Sequence, residues 1–335
     1  MRDCTPATSS RSSFRTATLP STASAWLRNA RKSRHVDIDA MRREGPAMDK
    51  TLIYDVGAHK GEDTEFYLKK GFRVVAIEAM PEFCESISKR FSEHVSSGAL
   101  TVINVAVSNS PGNVKFYVDD RVSEWGTTNP EWSERNKSFG AGKGRTLTIP
   151  AAKLADILNE HGVPRYCKID IEGNDLEALA SLEGLRELPE FVSIESDKTS
   201  WKKLIEEFET FEKLGYRKYK ILDQSLVSMQ KCPAVPKEGK FVDWRFKTGS
   251  SGLFGDELPG TWFSALEAIE AYKNIFRGYA INGDLGLFGG GRKSMFNMVG
   301  RIQEKVFRLK GSKHYVNPAT QFPPPGWYDT HAARE

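Results

Sequence analysis

From about residue 50 onward, the spacing of apolar residues predicts short buried strands that alternate with helices. The predicted strands are near-continuous apolar runs at residues 51–55, 72–78, 100–107, 166–171 and 191–195. Such runs are typical of strands that are buried on both faces of a sheet. The predicted helices between and after them are at residues 62–70, 81–94, 174–182 and 201–213. This alternation predicts an α/β fold with a mostly parallel, doubly wound sheet.

Several shorter segments complete this pattern. Residues 112–118 and 146–149 are predicted to be extended, and residues 151–160 a short helix. Residues 216–222 and 243–247 are predicted to form a closing pair of strands, with a further helix near residues 264–276.

Residues 119–145 form a connection that is long for a compact domain, which indicates a lid or a binding loop. Its Trp125 and Trp132 could stack on an acceptor or could pin the loop onto the core.

Composition divides the chain of 335 residues into three parts. Residues 1–47 are rich in Ser, Thr, Arg and Ala and show no hydrophobic period, so we expect a disordered N-terminal extension. Residues 48–250 are predicted to form one α/β domain. Residues 251–335 are predicted to be a C-terminal extension with one helix and partly irregular structure.

Charge and cysteine content limit the possible partners. The net charge is +4 and there is no basic–aromatic run, which argues against a nucleic-acid partner. No run of 18 apolar residues predicts a membrane span. The four cysteines do not have zinc-site spacing, which is typical of reduced thiols and favours a cytoplasmic protein. The oligomeric state cannot be read from this sequence.

The strongest chemical feature is the segment Asp55-Val-Gly57-Ala-His-Lys-Gly61, between the first predicted strand and helix. Glycines there let the backbone approach a ligand, and the helix N-terminus presents free N–H groups. In doubly wound sheets, ligands bind at this edge. The spacing D-x-G-x-x-x-G differs from the dinucleotide pattern G-x-G-x-x-G, and the carboxylate of Asp55 would repel a pyrophosphate. It suits a ligand with ammonium and hydroxyl groups, such as S-adenosylmethionine.

Two neighbouring strand ends extend this predicted site. Glu78 ends the second strand, where its carboxylate can accept hydrogen bonds from ribose hydroxyls. Dinucleotide folds use the same device, so Glu78 does not discriminate between cofactors. Ala106 and Val107, at the end of the third predicted strand, are placed to flank an adenine ring.

The fourth predicted strand ends in a charged pattern. Alternation places Lys168, Asp170 and Glu172 on one side of an otherwise apolar strand, which is costly unless the charges are paired or functional. Asp170 is the first candidate for substrate orientation or for the general base, and Glu172 is the second. The alternative is a buried structural pair of Lys168 with one of these acids. His59, in the cofactor loop, is a further candidate base, although it could simply fill the loop.

Acidic residues near the same edge also raise the question of a metal. The carboxylates of Asp170, Glu195 and Asp197 could bind a divalent cation together with waters. No spacing in the sequence demands such an ion, so no metal is predicted.

Four segments together resemble the FkbM family of S-adenosylmethionine-dependent methyltransferases over about residues 51–225. They are DVGAHKGEDTEFYLKKG, VVAIEAMP, NVAVSNSPG and KIDIEGNDLEAL. The resemblance implies a class I methyltransferase with a Rossmann-like, seven-stranded sheet whose last strand is antiparallel. It also implies O-methylation of a hydroxyl on a small molecule or a sugar.

By the same resemblance, Asp55, Gly57 and Gly61 line the methionine part of the cofactor and Glu78 lines the ribose. His59 is a departure, because the family often has Asn at this position and most methyltransferases of this fold have Gly. Two other readings of the sequence stay open: a non-catalytic nucleoside-binding partner protein and an NAD(P)-dependent oxidoreductase.

Overall fold

The computed structural model describes residues 46–110, 112–138, 144–247, 249–282 and 327–334. The strands are β1 (Met48–Val56), β2 (Arg73–Glu78), β3 (Leu100–Asn104), β4 (Ala106–Val107), β5 (Gly112–Val118), β6 (Arg145–Ala152), β7 (Val163–Ile169), β8 (Phe191–Glu195), β9 (Lys218–Asp223) and β10 (Tyr328–Ala333). The helices are α1 (Glu62–Lys69), α2 (Pro81–Arg90), α3 (Ser92–Ser96), α4 (Pro130–Ser138), α5 (Leu154–His161), α6 (Asp175–Ala180), α7 (Trp201–Lys213) and α8 (Ala265–Asn282). Residues 1–45 of the predicted disordered extension lie outside the described residues.

Seven strands form the central sheet, in the order β3-β2-β1-β7-β8-β10-β9. The pairs from β3 to β8 are parallel, and β10 runs antiparallel to both β8 and β9. Apolar side chains of β1 enter cores on both faces, with Tyr54 on one side and Ile53 on the other. The predicted doubly wound α/β fold, with a Rossmann-like sheet and one antiparallel strand, is confirmed.

The predicted closing pair of strands is wrong in its second member. Residues 243–247 form no strand, and the antiparallel strand is β10, which inserts between β8 and β9. The apolar signal of residues 243–247 comes from a loop packed on the core, where Phe246 lies 4.8 Å from the ring of Phe66. The β10 sequence YDTHAA is polar, yet all six residues are buried. Thr330 shows how its side chains are satisfied, because its Oγ1 lies 2.7 Å from the Tyr272 hydroxyl.

The third predicted strand divides in two. β3 stays in the central sheet, whereas β4 joins a small sheet of order β4-β6-β5. Asn104 ends β3 and donates its side-chain N–H to the carbonyls of Glu78 and Ala79, at 3.0 and 2.9 Å. The chain therefore leaves the central sheet beside the end of β2, and this opens space at the sheet edge.

Two other segments cover this edge or brace the fold. The long connection at residues 119–145 contains a 3-10 turn at Ser123–Trp125 and the helix α4. Residues 230–258 pack across α1, where Lys70 and Glu257 form a fully buried ion pair at 2.9 Å. Among the described residues, we find no helix whose length and apolar character would let it span a bilayer.

Candidate active site

A pocket lies at the carboxyl ends of β1, β2 and β7. Its empty volume, counted with the solvent space at its mouth, is about 850 Å³, within the range of small-molecule sites. The predicted site residues that line it are Gly57, His59, Glu78, Ala106, Val107, Asp170 and Glu172. Asp55 and Gly61 are not part of its lining. Most of the residues predicted from four separate segments are therefore brought together, and two lie behind the wall.

The loop after β1 is shaped by three left-handed residues. Gly57 has φ 80°, and a Cβ at this position would lie only 1.8 Å from the carbonyl oxygen of Asp170. Gly61 has φ 76° and precedes the first residue of α1. His59 has φ 47°, a conformation that His and Asn adopt more readily than most residues. This explains why a histidine can stand where the resembling family often has Asn.

His59 faces the segment that follows β5. Its Nε2 lies 2.9 Å from the Ser123 hydroxyl, and its ring meets the ring of Phe83 edge-on at 4.8 Å. Its Nδ1 is 3.7 Å from the carboxylate of Glu62. These contacts hold the imidazole on the pocket wall, between the loop and the covering segment.

Asp55 lies inside the protein and not on the pocket surface. Its side chain is fully buried, accepts a hydrogen bond from the Thr64 hydroxyl at 2.6 Å, and pairs with the ammonium of Lys168 at 3.2 Å. Lys168 also lies 3.6 Å from Asp63 and 3.7 Å from Asp170. Burial alone would lower the pKa of Lys168, but these carboxylates raise it well above its usual value. The pairing of Lys168 weighed from sequence is therefore present, with Asp55 as its nearest partner.

Glu78 presents a fixed carboxylate to the pocket. Its two oxygens accept backbone N–H bonds from His59 at 2.8 Å and Met80 at 2.7 Å. Burial raises the pKa of Glu78, and the two amide bonds oppose this shift. Each carboxylate oxygen keeps a second lone pair, so Glu78 can still accept hydrogen bonds from a ligand.

A group of carboxylates gathers beside the ends of β7 and β8. Asp170, Glu172 and Glu195 each have an oxygen within 4.8 Å of the others. Burial and the charges of Glu195 and Asp170 raise the pKa of Glu172 well above its usual value. Asp197 is not part of this group, because its Oδ1 accepts the backbone N–H groups of Thr199 and Ser200. Three such oxygens could hold a hard cation, but acidic groups also cluster in this way without one, so we assign no metal.

The segment over the pocket supplies residues that the sequence did not single out. Ser123, Glu124, Gly126 and Thr128 line the cavity. Trp132, for which stacking on an acceptor was one possibility, donates its indole N–H to Glu172 at 2.9 Å and so pins the segment onto the turn after β7. The length of the connection was the only sequence signal for this cover.

A second covering element comes from the far part of the chain. Gly249 lines the pocket, and the backbone N–H of Ser251 donates to both carboxylate oxygens of Asp63, at 3.1 and 3.0 Å. No sequence pattern pointed to this contact, because its partners lie 188 positions apart.

A buried acid next to this edge gives a testable pH dependence. Glu207 on α7 is 5% exposed, and burial raises its pKa to about 8. Between about pH 5 and pH 8 the folded protein therefore binds a proton that the unfolded chain has released, so this group lowers stability as pH rises. Replacing Glu207 with Gln should raise the free energy of unfolding at pH 8, relative to pH 5, by on the order of 3 kcal/mol over wild type.

Urea denaturation at both pH values measures this change. Glu209→Gln is the matched control, because Glu209 is an exposed carboxylate on the same helix. Identical pH slopes for the Glu207 variant and wild type would contradict the assignment.

Comparison with known proteins adds a family to this geometry. A search of the curated proteins found no match. Similar solved structures include a precorrin-6y C5,15-methyltransferase from Geobacter metallireducens, with 12% identity, 58% of this chain and 78% of that chain covered, and a TM-score of 0.30. A TehB-like methyltransferase from Corynebacterium glutamicum has 13% identity, coverage of 60% and 85%, and a TM-score of 0.29. A putative sarcosine dimethylglycine methyltransferase from Galdieria sulphuraria has 8% identity, coverage of 93% and 85%, and a TM-score of 0.34.

Structural scores at this level carry no argument, so the fold assignment rests on the sheet order described above. The sequence match is specific: residues 55–218 match the family described as the methyltransferase FkbM domain. This range begins at the acid of the cofactor loop and ends at the first residue of β9. Through this domain, the chain belongs to the FkbM family of methyltransferases.

Proposed function

We propose that this protein transfers a methyl group from S-adenosylmethionine to a hydroxyl of a small molecule or a sugar. The observation that supports this most is that one pocket is lined both by the nucleoside-binding elements, Gly57 and Glu78, and by the acids Asp170 and Glu172. A cofactor site and a proton acceptor thus share one cavity, as methyl transfer to a hydroxyl requires.

The residues of the pocket fit this cofactor. The absence of a side chain at Gly57 leaves the backbone of the loop in contact with the end of β7, and any Cβ would close this space. Glu78 offers acceptors for ribose hydroxyls, and the apolar Ile77, Ala106 and Val107 offer a surface for an adenine. When bound, S-adenosylmethionine supplies an electrophilic methyl group on a sulfonium.

The remaining work falls to the protein's own side chains. Asp170 is half exposed, with 40% of its side-chain surface accessible, and lies 3.7 Å from the ammonium of Lys168. We assign it the role of orienting the acceptor hydroxyl and accepting its proton, with Glu172 second. His59 is the third candidate, although its ring is already engaged by Ser123. The two covering segments would exclude water from the reacting groups.

Ligand binding tests this proposal without knowledge of the acceptor. S-adenosylhomocysteine should raise the melting temperature and bind in calorimetry, whereas NAD(P) should do neither. A screen of sugars, phenols and aliphatic alcohols with methyl-labelled S-adenosylmethionine would then identify acceptors. Binding of NAD(P) in place of S-adenosylhomocysteine would favour an oxidoreductase, and tight binding of S-adenosylhomocysteine without turnover on any acceptor would favour a binding partner protein.

A further inference from the structure

Lys168 is the one strongly basic side chain in the wall of the pocket. Among the described lining residues, six carry carboxylates and only Lys168 carries a lysine or arginine charge. The carboxylates are Glu62, Asp63, Glu78, Glu124, Asp170 and Glu172. A ligand with two positive groups and one carboxylate therefore meets many partners for its cations but a single cation for its anion.

The ammonium of Lys168 has donor capacity to spare. It donates hydrogen bonds to Asp55 Oδ1 and to the carbonyl oxygen of Gly57, both at 3.2 Å. Asp63 and Asp170 stand farther away, at 3.6 and 3.7 Å, beyond hydrogen-bonding distance. Because an ammonium has three N–H donors, one remains available toward the pocket.

The position of Lys168 is also fixed in advance. Its side chain is only 5% exposed, and it stands between the loop after β1 and the end of β7. Asp63, one of its neighbours, is itself held by the backbone N–H of Ser251. A cation that is already ordered loses little freedom when it binds an anion, so it contributes more of its interaction energy to affinity.

We propose that Lys168 binds the carboxylate of the methionine part of the cofactor, and that Asp55 acts from behind as the residue that positions Lys168. This inference rests on the proposed use of S-adenosylmethionine. It reassigns the acid of the D-x-G-x-x-x-G motif from ligand contact to support, because the Asp55 carboxylate is buried and already paired with Thr64 and Lys168.

Truncated ligands separate this role from a structural one. Calorimetry would compare S-adenosylhomocysteine with its decarboxylated analogue, which keeps the amine, and with 5′-methylthioadenosine, which lacks the whole amino acid. Wild type should prefer S-adenosylhomocysteine over the decarboxylated analogue by about 10-fold to 100-fold. Lys168→Met should remove most of this preference and leave the affinity for 5′-methylthioadenosine within about 3-fold.

Three further variants guard against misreading. Lys168→Arg keeps the charge and should keep the preference. Lys168→Met combined with Asp63→Asn removes one charge of each sign, so it remains informative if the single variant does not fold. Lys60→Met is the matched control, because Lys60 lies in the same loop but donates to Ser123 and does not line the pocket. It should leave all three affinities unchanged.

Two results would overturn the inference. Equal weakening of S-adenosylhomocysteine and 5′-methylthioadenosine in the Lys168 variants would mean a structural role only. Absence of any preference for the carboxylate in wild type, or a preference that survives Lys168→Met, would mean that the amides at the start of α1 hold the anion instead. Failure of the proposed function is distinct from both, because wild type would then bind no S-adenosylhomocysteine at all.

Discussion

Replacing Gly57 with Ala should abolish binding of S-adenosylhomocysteine and lower the free energy of unfolding by about 2–5 kcal/mol. Two physical effects add at this position. The residue has φ 80°, which strains any residue with a Cβ, and the new Cβ would be placed 1.8 Å from the carbonyl oxygen of Asp170. To relieve this overlap, the loop after β1 has to move away from β7, and the ligand-facing backbone moves with it.

Gly98 provides the matched control for this variant. It has nearly the same backbone angle, φ 76°, but a Cβ there would meet no atom within 4 Å. Gly98→Ala should therefore show only the strain of the left-handed conformation, about 1 kcal/mol, and unchanged ligand binding. Urea denaturation and calorimetry on both variants measure the difference. Normal affinity in the Gly57 variant would show that the loop backbone does not contact the nucleoside.

The predictable part of the fold came from strands that are apolar along their whole length. β1, β2, β7 and β8 carry their burial in their own sequences, because both faces of each strand are covered. β10 does not, since it is polar and becomes stable only when distant groups satisfy it. Tyr272 and Ser196, both hydrogen-bonded to Thr330, lie 58 and 134 positions away from it.

The site shows the same division between local and distant information. Gly57 and Glu78 could be placed from the strand ends alone, because the edge of a parallel sheet brings strand ends together. The partner of Asp55 could not, since pairing with Lys168 depends on the register of β1 against β7, which sets Asp55 beside Lys168. Ser123 and Ser251 were also out of reach, because their contacts depend on how two connections fold over the pocket.

Replacing Asp170 with Asn should lower kcat by about 10²–10⁴-fold for any acceptor found in the screen, if this carboxylate takes the acceptor's proton. Asn keeps the size of the side chain and its hydrogen-bonding capacity but cannot accept a proton. Because the Asp170 side chain is 40% exposed, we expect little loss of stability. Affinity for S-adenosylhomocysteine should stay within about 3-fold, because Asp170 stands beyond hydrogen-bonding distance of Lys168.

Glu124→Gln is the control for this final comparison, since Glu124 is also a carboxylate of the pocket wall but lies on the covering segment. It should change kcat by no more than about 3-fold. Steady-state kinetics and calorimetry on both variants separate proton transfer from binding. If the Asp170 variant kept its turnover and Glu172→Gln lost it, the base would be Glu172, the acid held by the indole of Trp132. Chemistry would then depend directly on closure of the covering segment, because opening it would remove the donor that orients the base.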